Sequence, residues 1–227
     1  MEKDDYINNL ENVIKQMLRP IKDIPFKLVI EAMSGKKILP FNIKISHNKK
    51  LLNILINAAT EAGKEINKNG IFRPRANEVG YAIEPFIKQA LSGLGLSADT
   101  PTTNSGKKKS TGYPDILFWY NKNPYYLECK TYNKENIDTT FRSFYFSPSD
   151  DFKITHNAPH LLLSYEIFVA GEQGNDHIYK CAGFKIISLE NLSVDVKYEF
   201  NADNKRLYST EETVLILAER KIQEGLK

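Results

Sequence analysis

The chain has little that could support thiol or thiolate-metal chemistry. Its 227 residues include two cysteines, Cys129 and Cys181, with neither a CxxC pair nor a zinc-like Cys/His spacing. That excludes a disulfide framework and structural zinc, and it suits a reducing compartment, so a cytoplasmic protein is expected. No run of about 18 apolar residues occurs, so no transmembrane helix is expected. The acidic, amphipathic start, MEKDDYINNL, does not have the form of a signal peptide. No GxxxxGK followed by Ser or Thr is present, so no nucleotide cofactor is indicated. There is no GxSxG and no credible Ser/His/Asp or Cys/His set, which leaves covalent acyl chemistry without a nucleophile. Internal repeats and low-complexity tracts are also missing.

What is present is ordinary for a globular protein. Hydrophobic residues make up 41% and charged residues 26%, enough to build a core without staples. Net charge is only +3, but it is unevenly placed. Residues 1–75 hold 14 Lys and Arg against 8 Asp and Glu, whereas residues 76–227 hold 17 against 20. A basic N-terminal third suits a polyanionic partner, and a solvated lysine-rich surface would give the same count.

Apolar spacing sets the elements. Tyr6, Ile7, Leu10, Val13, Ile14, Met17 and Leu18 predict a helix over 4–18, ended by Pro20. Leu51, Leu55, Ala58, Ala62 and Ile66 predict another over 47–68, closed by Asn69-Gly70. A third runs over 77–94 on Val79, Ile83, Ile87, Ala90 or Leu91, and Leu94, with Pro85 inside it as a kink. PFKLVIEAM and KILPFNIKI, broken by prolines, support neither helix nor strand. From Gly112 the period becomes that of strands, at 114–120, 125–131, 160–169 and 178–189. A last helix is expected over 210–226. This order predicts an α/β or α+β domain with a mixed sheet.

The stretch from Pro114 to Thr131 carries chemistry. Two apolar runs flank a turn at Asn121-Lys122-Asn123-Pro124, whose residue types suit a tight bend. With the bend near residue 122, opposite residues sum to 243–245, and at 243 Asp115 faces Glu128. Glu128 and Lys130 are two apart and share a face, while Cys129 points the other way into the core. Two carboxylates and an ammonium therefore meet at one end of a sheet. Close carboxylates repel, and burial raises the pKa of one. Mg²⁺ removes that conflict. The lysine beside it can position water or stabilise charge on a phosphoryl transition state. A surface ion pair, worth about 0–1 kcal/mol, would have polar neighbours. Here the flanks are ILFW and YYL. The acid-x-lysine triplet alone is weak, since it recurs at Asp151–Lys153, Asp195–Lys197, Asp203–Lys205 and Glu219–Lys221. None of those is paired with an aspartate across a tight hairpin.

Pro114-Asp115 followed by Glu128-Cys129-Lys130 resembles the PD-(D/E)xK nuclease superfamily, and within it the type II restriction endonucleases. The resemblance implies a restriction-endonuclease-like mixed sheet flanked by helices. It also implies that Asp115, Glu128 and the backbone carbonyl of Cys129 bind Mg²⁺ and that Lys130 is catalytic. A helix acid often completes such sites; NEVGYAIEPFI supplies Glu84, with Glu78 as the alternative. Residues 1–75 then form a helical region for DNA clamping or dimer contacts, packed on a nuclease core at 76–227. The expected partners are double-stranded DNA and a second copy of the chain, because a symmetric site calls for a symmetric dimer.

Other residues fit DNA but also fit a plain surface. Arg73, Arg75 and Asn77 precede the kinked helix and could contact phosphate or base edges. Lys107, Lys108 and Lys109 form a basic loop suited to phosphate, and Lys134 and Arg142 follow the catalytic strand. The phenylalanines of FRSFYFSPS are expected in the core. His156 and His160 do not have the arrangement of a ββα-metal nuclease, and His160 is expected to be structural. A junction resolvase, a nuclease toxin and a catalytically silent DNA-binding module remain as alternative functions.

Overall fold

The computed structural model describes residues 2–19, 21–133 and 144–197. The helix expected over 210–226 lies outside these, as do Lys134 and Arg142. The chain forms two compact units, residues 1–22 with 195–227, and residues 23–194. In the first, α1 (Glu2–Met17) follows the predicted apolar spacing. Its Tyr6, Ile7, Leu10 and Val13 are exposed.

The elements that follow are β1 (Ile21–Pro25), α2 (Phe26–Ser34), α3 (Ser46–Asn69) and β2 (Ile71–Arg73). A 3-10 turn at Ala76–Glu78 leads into α4 (Val79–Gly93). Then come β3 (Ser97–Asp99), β4 (Ile116–Tyr120), β5 (Asn123–Tyr132), β6 (His160–Gln173), β7 (Asp176–Ser188) and β8 (Ser193–Val196). Pro85 does lie inside α4, where it removes the bond that would reach the carbonyl of exposed Tyr81. α2 shows that the proline-broken stretch PFKLVIEAM is helical. Its proline, Pro25, precedes the helix rather than interrupts it, and Gly35 closes it with a φ of 67°.

The second unit is built on a six-stranded sheet in the order β2-β7-β6-β5-β4-β3. β5 and β6 run parallel and every other neighbouring pair is antiparallel, so the expected mixed sheet is what forms. α3 and α4 cover one face. Leu51, Leu55, Ala62 and Ile66 of α3 and Val79, Ile83, Ile87 and Leu91 of α4 are buried there with Ile116, Phe118, Leu127 and Cys129. The other face holds a second cluster, Phe26 and Ile30 of α2 with Tyr113, Tyr126, Ile154, Ala158 and Leu189. Both faces of β5 are thus covered, and five consecutive residues from Tyr125 to Cys129 are buried. Phe144 and Phe146 pack edge-on against Phe26, in the core role expected of them, while Phe141 lies outside the described residues.

One glycine is dictated by space. At the end of α3, Gly70 has a φ of 71°, and a Cβ there would lie 2.9 Å from Ile178 Cγ2 of β7. The helix must stop and turn into β2 at that point with no side chain between it and the sheet.

Candidate active site

The β4–β5 hairpin turns on two residues, Asn121 and Lys122, whose φ values are 48° and 64°. Positive φ at both positions is the type I′ turn, whose twist matches that of the strands. Its ladder pairs Tyr120 with Asn123 and Ile116 with Leu127, a constant sum of 243. Continued one step past the strand, the same register sets Asp115 opposite Glu128. The parity follows as the alternation requires: Leu127 and Cys129 join the α3/α4 side, while Tyr126 belongs to the other cluster, the face shared by Glu128 and Lys130.

Asp115 precedes β4, and its Oδ2 accepts a hydrogen bond from the Cys129 amide at 2.8 Å. In a strand the N–H and C=O of one residue point to the same neighbour, so the Cys129 carbonyl is directed to the Asp115 side. Glu128 is 3% exposed. Its Oε1 lies 2.7 Å from Lys130 Nζ, and its Oε2 is buried with no hydrogen-bond partner. Burial first, then the charge of Asp115, pushes the Glu128 carboxyl up to about 7, against the pull of Lys130. Burial works against the charge on Lys130, but the Glu128 charge and hydrogen bond outweigh it and raise the ammonium pKa.

Glu84, on α4, joins this group. Burial, followed by repulsion from Asp115, pushes its carboxyl up to about 7, with Lys88, Lys153 and Lys130 acting in the other direction. Lys88 lies 3.8 Å from Glu84 Oε2 and donates to Thr100 Oγ1 at 2.7 Å. Glu78 is elsewhere: its charge acts on Tyr179 of β7.

A second lysine, absent from the sequence candidates, comes under the charges of the same carboxylates. Lys153 belongs to one of the four acid-x-lysine triplets without a hairpin partner. It is 3% exposed, and the charges of Asp115, Glu128 and Glu84 all act on it, against a burial cost that lowers its pKa. The one available signal was its place between Phe152 and Ile154, an ammonium inside an apolar run.

The remaining candidates lie apart. Arg73, Arg75 and Asn77 are exposed around the end of β2, at the opposite edge of the sheet from β3, and Arg73 donates to its neighbour's carbonyl at 2.8 Å. Lys107 is exposed, Lys108 is paired with Asp99, and Lys109 lies 3.7 Å from Asp151 Oδ2. His160 is buried, with Nδ1 2.6 Å from the Tyr113 hydroxyl, and burial drives its pKa down to about 3. It packs as a neutral ring, in keeping with a structural role.

Among the described residues no three His, Cys, Asp or Glu side chains are gathered to hold a metal by themselves. Mg²⁺ does not require that, since it commonly binds through one or two carboxylates, completed by water and substrate phosphate. The orphaned, buried Oε2 of Glu128 beside the Asp115 carboxylate fits that requirement.

A family model described as the type II restriction enzyme MjaV family matches residues 20–211. The chain is also similar to the type II restriction enzyme MjaV of Methanocaldococcus jannaschii, with 40% identity across 98% of this chain and 100% of that protein. No solved structure matches it.

Proposed function

The chain belongs to the type II restriction enzyme MjaV family, and from that premise we propose that it is a Mg²⁺-dependent endonuclease of double-stranded DNA. It would act in the cytoplasm as a homodimer on a short symmetric site, without a nucleotide cofactor. The observation that carries the metal and residue assignment is the hairpin: Asp115 set on the Cys129 amide, opposite a buried Glu128 whose Oε2 has no partner.

Asp115, Glu128 and the Cys129 carbonyl would hold Mg²⁺, with Glu84 assisting. Once bound, the ion would supply charge neutralisation and a Lewis acid for the phosphate. Asp115 is held in place by its bond to Cys129, so little ordering remains to be done when substrate arrives. Lys130 is kept charged by Glu128. In that form it donates to the attacking water or to a phosphoryl oxygen and stabilises the negative charge that develops there. Water adds to phosphorus, one P–O bond breaks, and a proton reaches the departing oxygen. Arg73, Arg75, Asn77 and the loop at Lys107–Lys109 would contact the duplex, with residues 1–75 clamping DNA or meeting the second subunit.

Digestion of plasmid DNA tests the proposal. Discrete fragments in Mg²⁺ and none in EDTA are expected. Intact plasmid in both, or cutting that persists in EDTA, would overturn it.

A further inference from the structure

Among the described residues, the carboxylate, lysine and arginine side chains that are almost fully buried are Glu128 and Lys153. The first is explained by the hairpin. Lys153 is not on the sheet; it arrives from the connection between β5 and β6. An ammonium has three donors and, when buried, needs acceptors for them. Lys153 Nζ has one, the Lys109 carbonyl, at a long 3.4 Å. Among the described residues it makes no ion pair.

Its position is nonetheless held firmly. Asn104 N–H donates to the Phe152 carbonyl at 3.1 Å. Ser105 gives Asp151 two hydrogen bonds, from its amide at 3.1 Å and its hydroxyl at 2.7 Å. These bonds fix 151–153 against the loop that runs through Gly112 to Asp115. Between the two runs is a cavity of about 330 Å³, lined by Lys109, Asp151 and Lys153 together with Tyr113, Phe146 and Phe152, among others. A clamped cation with spare donors thus borders a hollow of mixed polar and aromatic lining, and the charges of Asp115 and Glu128 act on it.

We propose that Lys153 is a second active-site lysine, and that its spare N–H donors take an oxygen of the DNA phosphate seated against Asp115 and Glu128. This rests on the nuclease reading above. A counter-ion of the carboxylates alone, or a structural tether to Lys109, would behave differently on substitution.

Lys153→Gln keeps a donor for the Lys109 carbonyl and removes the charge. It should cut DNA about 30-fold or more slowly in single turnover at saturating Mg²⁺, the scale of losing one charged donor. Calorimetry without DNA should show Ca²⁺ bound as tightly as by the wild type or more so, because a neighbouring positive charge is gone. Lys153→Arg should recover part of the rate. Wild-type cleavage by Lys153→Gln would overturn the proposal, and so would Ca²⁺ affinity that falls along with the rate. A wild-type measurement stands in if the Gln chain does not fold. The Lys153 ammonium NMR signal, assigned by its loss in Lys153→Arg, should shift when duplex DNA is added after saturating Ca²⁺. No shift would overturn the proposal. A wild type that cuts no DNA would instead remove the nuclease reading on which it rests.

Discussion

The Asp115 carboxylate accepts the Cys129 amide at 2.8 Å, joining the residue before β4 to the strand that carries Glu128 and Lys130. Asparagine can still accept that bond, whereas alanine cannot. Asp115→Asn should therefore fold with near wild-type stability but lose divalent-cation binding and cleavage. Asp115→Ala should in addition lose about 1–3 kcal/mol, the cost of a buried donor left unpaired. Paired denaturant titrations, with Ca²⁺ calorimetry, check both.

Lys130→Ala should lower cleavage by about 10²–10³-fold while leaving DNA binding in Ca²⁺ largely intact, since its charge acts on the reacting phosphate. Cutting at the wild-type rate would contradict the assigned role. The same change leaves Glu128 buried without its cation, so the metal-free protein should also unfold at a lower temperature.

Glu84 and Glu78 are separated by one experiment. Glu84→Gln should slow cleavage, because its carboxylate belongs to the group that includes Asp115 and Lys130. Glu78→Gln should not, because its charge acts on Tyr179 instead. Equal effects from the two would argue against Glu84 as the helix acid.

Stability of the metal-free protein should fall as pH rises from about 4.5 to about 7. Glu84 and Glu128 both move up from 4.5 to about 7 on folding, so in that window the folded chain holds more protons than the unfolded one. A group of this kind contributes stability that is complete below its unfolded pKa and is lost as pH climbs through its folded pKa. The loss is on the order of a few kcal/mol. Glu84→Gln should flatten the slope of unfolding temperature against pH, and saturating Ca²⁺ should raise stability most at the alkaline end of the window.

Gly70→Ala should destabilise the protein by about 1–3 kcal/mol. The residue has a φ of 71°, and its new methyl group would press on Ile178 at 2.9 Å. Denaturant midpoints check this, and cleavage at low temperature should be unaffected.

Several features could be read from the sequence because they depend on near neighbours. Side-chain alternation is a covalent consequence of an extended chain, and it put Glu128 and Lys130 on one face and Cys129 on the other. The tight-turn residues at Asn121-Lys122 narrowed the register to a choice among three, and the type I′ turn selected the sum of 243. α1, α3 and α4 followed from their apolar spacing, with bounds close to those expected. β2 and β3 went unseen because three residues carry no period, and α2 was missed because it is short and Pro25 stands at its start.

By itself, then, the sequence determined the three long helices α1, α3 and α4, the hairpin and the acid-acid-lysine set at its open end. The tertiary structure decided which charges join that set from elsewhere. The charge of Glu84, along α4, meets that of Asp115, while the charge of Glu78, at the 3-10 turn before that helix, acts on Tyr179. Lys153 comes under the charges of Asp115 and Glu128 because the connection between two parallel strands folds back against the loop leading to Asp115, and contacts of that length leave no periodic trace in the chain.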